Sequence, residues 1–106
     1  MFGLFKKKPK TALDAVHALA IERFRPLLVN NKNLSDEKII EIVQLVMNAF
    51  IQTAESKGET ISGTSLMNIS EKFIKVYDLG GLKLFRDHLE YEITLYLTSG
   101  LRDDYK

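Results

Sequence analysis

Glycines, histidines and carboxylates at short spacings are the places where this 106-residue chain could do chemistry. The segment Gly58-Glu59-Thr60-Ile61-Ser62-Gly63-Thr64-Ser65 has the glycine spacing of a phosphate-binding loop. That loop needs a lysine where Thr64 stands, and it follows a strand. Here the preceding periodicity is helical, and without the lysine the β- and γ-phosphates lose their main cation. The segment is read instead as a connection between two helices, with glycine at a helix end.

Each histidine has a carboxylate on its own helical face. Asp14 and His17 are three residues apart, and His88 and Glu92 are four apart. Such pairs can hold a metal or orient an imidazole as a base. A catalytic metal takes three protein ligands, and the spacing supplies two. His17 is expected at the rim of a core stripe, and His88 at a surface or an interface. No serine sits in a strand–turn–helix elbow, and no carboxylate–histidine–serine set can be assembled. Asp103 and Asp104 fall in what reads as a frayed tail, where burial cannot tune their pKa values. With no cysteine in the chain, a disulfide scaffold and a thiolate zinc site are excluded. The expectation is a protein that is not an enzyme, with no catalytic residue, cofactor or metal site.

The elements that would position these residues are all helical. Apolar residues make up 45% of the chain and charged residues 27%, ordinary values for one folded domain. Leu13, Val16, Ala20, Phe24 and Leu27 recur at helical spacing, behind a cap at Thr11 and before a break at Pro26. Ser35 caps a second helix that runs to about Lys57 and stops at Gly58. Its apolar residues, from Ile39 to Ile51, cover so much of the circumference that the helix should be surrounded by others. A third helix is capped by Thr64 or Ser65, presents Leu66, Ile69, Phe73, Val76 and Tyr77 inward, and breaks at Gly80-Gly81. A fourth, about Leu82 to Thr98, presents Leu82, Phe85, Leu89, Ile93 and Tyr96, and Gly100 ends it. The expected architecture is all-α: a compact four-helix bundle-like domain over residues 11–100 with a central second helix. A short flexible basic head (residues 1–10) and a polar tail (residues 101–106) flank it.

Charge is distributed unevenly along the chain. The head carries Lys6, Lys7, Lys8 and Lys10 and no acid, and the remainder holds 11 basic and 14 acidic residues. The body therefore has no general attraction for phosphate backbones. The third helix is expected to expose Glu71, Lys72, Lys75 and Asp78, nearly neutral in sum, where a DNA-reading helix would be basic. Nucleic acid is an unlikely partner on these grounds. The head reverses the charge order of a secretory signal, and no run approaches the ~20 apolar residues of a membrane-spanning helix. The expected location is cytoplasmic. Phe2, Leu4 and Phe5, followed by the four lysines, give the alternative of a peripheral contact with anionic lipid at the inner face of a membrane.

A second apolar stripe distinguishes the fourth helix. Leu84, His88, Tyr91 and Leu95 fall within about 60° of arc at helical spacing. The stripe is expected on the side opposite the inner face. A helix that buries one face has no structural need of aligned leucines and a tyrosine on the other, and tyrosine is enriched where proteins meet. The expected function is a non-enzymatic helical protein of regulatory or adaptor type. It would act through protein–protein contacts on this stripe, with itself or with another chain.

Overall fold

The computed structural model describes residues 12–106, with side chains from residue 15 onward. The expected cap at Thr11, its partner Asp14, and the head lie outside the described residues or side chains. Among the described residues three α-helices form the body: α1 (Ala12–Phe24), α2 (Asp36–Ser56) and α3 (Gly63–Ser99). No strand occurs among the described residues, so the all-α class holds. No helix among them is long and apolar enough to cross a membrane.

Local chemistry sets the helix boundaries. Pro26 ends α1, and the chain continues as a 3-10 turn over Arg25–Leu27. Ser35 caps α2 by accepting from the Lys38 amide at 3.1 Å, with Asp36 and Glu37 at the positive end of the dipole. Beyond the other end, Gly58 takes a φ of 71°, a left-handed conformation with little penalty for glycine. The cap of α3 is Ser62, whose hydroxyl accepts from the Ser65 amide at 3.1 Å. The helix therefore starts two or three residues earlier than the expected cap at Thr64 or Ser65 would place it. A serine with a small, exposed residue after it can cap as well as either of its neighbours, and pattern alone does not choose between them.

The third and fourth helices of the sequence reading are one element, α3, doubled back on itself. At Gly81 the backbone adopts φ 73° and ψ −162°, a region essentially reserved for glycine. Twenty residues of straight helix span about 30 Å, yet Lys72 Nζ lies 3.2 Å from Glu92 Oε2. The halves 63–80 and 82–99 therefore run antiparallel. Among the described residues three helices are counted where four were expected, because the reversal happens within a single residue, Gly81, and leaves no loop.

Central α2 packs against both α1 and α3. Its Phe50 is buried and meets three rings: Phe73 at 6.1 Å, Tyr96 at 6.1 Å and Tyr105 at 6.3 Å between centroids. Phe85 extends the cluster, edge-on to Phe73 at 5.8 Å. Pairs of this kind contribute about 0.5–1.5 kcal/mol beyond their area. The enclosure expected for α2 is incomplete, because Leu45 and Ile51 remain exposed. Among the described side chains of α1 only Ala20 and Phe24 are buried, and the helix is rich in alanine, which offers little surface to its neighbour.

Candidate functional site

The second half of α3 carries the stripe read from the sequence. Leu84 is 44% exposed and Tyr91 59% exposed, while His88 and Leu95 are half-buried. At 100° per residue the stripe adjoins the buried line Phe85, Glu92 and Tyr96 rather than lying opposite it. The opposite side is polar, with Lys83, Asp87, Glu90 and Thr94 all exposed and Lys83 paired with Asp87 at 3.0 Å. Leu84 folds over the hairpin backbone so closely that a Cβ on Gly80 would stand 2.6 Å from its own Cβ. His88 joins the stripe to the core, with its ring 5.2 Å from Phe73 and 6.4 Å from Tyr91.

Beneath the stripe lies a buried ionic cluster that the sequence reading missed. The Glu92 side chain is 1% exposed. Its Oε2 receives Lys72 Nζ at 3.2 Å and Arg102 Nη1 at 3.0 Å, and its Oε1 receives the Tyr105 hydroxyl at 3.1 Å. His88 Nε2 is 3.4 Å from Oε2, but the alignment makes no hydrogen bond and that nitrogen is buried without a partner. Burial is the main cause that lowers the His88 pKa below its ordinary value of 6.5. Glu92 opposes the shift, and Lys72 and Arg102 reinforce it. The Tyr105 hydroxyl is pushed well up, first by burial and then by the Glu92 charge. A carboxylate already holding two cations and a phenol is a poor ligand for a metal ion. No group of three candidate metal ligands occurs among the described residues.

Two sequence expectations are corrected here. The tail is not frayed: Tyr105 is 2% exposed, within a 3-10 turn at Asp103–Tyr105. Asp103 and Asp104 are exposed, and Arg102 holds the Asp104 carboxyl below its usual range through a hydrogen bond. Asp78 and Lys72 are not a solvated face either. Asp78 is buried and accepts from the Asn30 amide at 2.9 Å and from the Asn31 side chain at 2.9 Å, tying the α1–α2 loop to α3. His17 faces Gln44 of α2, nitrogen to nitrogen at 3.3 Å.

Glu92 had a legible signal. It falls seven residues after Phe85 and four before Tyr96, in the middle of the inner stripe, where a carboxylate is rarely found unless paired. Its partners were not legible, since Lys72 and Arg102 reach it from 20 and 10 residues away. The membrane-contact candidates Phe2, Leu4, Phe5, Lys6, Lys7, Lys8 and Lys10 lie outside the described residues.

No family model, no curated protein and no solved structure matches this chain.

Proposed function

We propose that this chain is a small non-enzymatic helical module that works through protein–protein contacts. Leu84 and Tyr91 form the centre of its contact surface, and His88 and Leu95 form the half-buried floor. The observation that carries this reading is the exposure of Leu84 and Tyr91 on one flank of α3, beside the buried ion pairs of Glu92 with Lys72 and Arg102. Aligned apolar residues on a firmly held helix resemble the core of an interface, where aromatic anchors dominate the energy. Flanking charges at Lys83 and Asp87 would supply the polar rim.

Self-association is the simplest form of the reading and the first to test. Sedimentation equilibrium of the wild-type chain should give a mass above the 12.1 kDa of one copy. The Leu84→Glu/Tyr91→Glu variant should remain folded and sediment as a monomer. Both positions are exposed, so this pair is a cleaner probe than any variant at half-buried Leu95. If wild type and variant have the same mass, and each retains the same proteins when immobilised, the stripe is not a contact surface.

A further inference from the structure

The thin packing of α1 leaves an apolar groove on each flank of Val16. One flank, of about 340 Å³, lies between α1 and α2 and is lined by Val16, Ala20, Ile40, Val43, Met47 and Ile51 among others. The other, of about 460 Å³, lies between α1 and the start of α3, against Val16, Leu19, Met47, Leu66 and Met67. A dry cavity of about 150 Å³ accepts benzene, so either flank has room for an aromatic ring. Val16 and Leu19 are 46% and 60% exposed, and aligned exposed apolar residues mark a contact site more often than scattered ones do.

We infer that this groove is the docking site of the chain's own first residues, with Phe2, Leu4 and Phe5 seated against Val16, Leu19, Met47 and Met67. Two observations select this occupant over a foreign one. The first is reach. The eleven residues before Ala12 join α1 one helical turn from Val16, and the seven steps from Phe5 to Ala12 span up to about 25 Å when extended. Both flanks of the groove are within that distance, and tethering gives the segment a high effective concentration. The second is charge. A smaller apolar recess, of about 230 Å³, continues the groove past Ile51 and Leu66, and Glu55 and Glu59 in its lining give it an acidic rim. Lys6, Lys7, Lys8 and Lys10 lie between the apolar head and α1, where they complement that acidic rim. The inference is independent of the proposed contact surface, which lies on the second half of α3, beyond the reversal at Gly81.

The chain is well suited to a direct test. Besides Met1, its only methionines are Met47 and Met67, and it has no cysteine. The ε-methyl groups of Met47 and Met67 are therefore two resolved reporters inside the groove. A Gly3→Cys substitution gives one attachment point for a spin label. In the labelled full-length chain, both methyl signals should broaden strongly. A Phe2→Ser/Leu4→Ser/Phe5→Ser variant keeps the tether and the lysines and should lose most of that broadening; Leu19→Glu, on an exposed position of the groove, should lose it too. Without any spin label, the serine variant should also shift both methyl signals relative to wild type. Equal broadening in wild type and the serine variant would mean that proximity comes from the tether alone, and would overturn the inference. Broadening between a spin-labelled copy and a separately methyl-labelled copy would overturn it in favour of a second chain in the groove.

Discussion

Tyr105, the penultimate residue, donates its hydroxyl hydrogen to Oε1 of Glu92 at 3.1 Å, and both side chains are buried. The end of the chain is thereby fastened to α3 and closes one side of the aromatic core around Phe50. Tyr105→Phe keeps the ring and removes the donor, leaving one buried carboxylate oxygen short of a partner. Loss of stability by about 1–3 kcal/mol is expected, measured by urea unfolding. A cost near zero would show that water replaces the hydroxyl and that the site is open.

The cluster around Glu92 should respond asymmetrically. Glu92→Gln leaves Lys72 and Arg102 partly exposed and able to turn to water. Lys72→Met/Arg102→Met instead strands a carboxylate that is 1% exposed. Breaking a buried pair in that direction costs about 3–5 kcal/mol, so the double methionine variant should be clearly less stable than Glu92→Gln. Equal losses would mean that the carboxyl becomes protonated or reaches solvent.

At the centre of α2, Phe50 is 1% exposed and touches Phe73, Tyr96 and Tyr105. Phe50→Ala should cost about 3–5 kcal/mol, a large share of the 5–15 kcal/mol typical of such domains. Chemical denaturation provides the number, and a loss under about 1 kcal/mol would place the core elsewhere.

Gly81 is a position where any side chain should destabilise the fold. Its φ of 73° and ψ of −162° cost about 1–3 kcal/mol for a residue with a Cβ. Although nothing lies within 4 Å of a Cβ built there, Gly81→Ala should lower the melting temperature through backbone strain alone. Gly80→Ala should do so through collision with Leu84, whose Cβ would stand 2.6 Å away. A Gly81→Ala variant as stable as wild type would mean that the reversal can relax to another geometry.

Acid should weaken the fold through His88 before the carboxylates titrate. Its pKa is lowered in the folded state, first by burial against Phe73 and then by Lys72 and Arg102 against the opposing pull of Glu92. The unfolded chain therefore binds the proton more readily. Stability present above the free value of 6.5 is lost as pH falls through that value toward the folded one. Between pH 7.5 and 5.5 the urea midpoint of wild type should fall more than that of His88→Phe, which keeps a ring beside Phe73. Parallel curves would remove His88 as the cause.

Much of the architecture was written in local pattern. Ser35, Gly58, Pro26 and Gly100 end or start helices for reasons that act within a turn of chain, and the 3.6-residue recurrence of apolar residues set the helical class. Phe24, Ile39, Val46, Phe50, Ile69, Phe73, Phe85 and Tyr96 are buried, as that recurrence predicts. The Leu84–Leu95 stripe was visible for the same reason, since its members share one helix.

Only the tertiary structure decided which charged residues are interior. Lys72, Glu92, Arg102 and Tyr105 are far apart in sequence, and the reversal at Gly81 and the return of the tail bring them to one point. A local pattern assigns a face to each residue but not the partner across it. For that reason Asp78 and the tail read as solvated, while α2 read as fully enclosed. Burial of a carboxylate requires cations that arrive from other elements, and exposure of a leucine requires that no element arrive. Both are properties of the packed chain, set by where a single glycine reverses α3 and by how little surface an alanine-rich α1 covers.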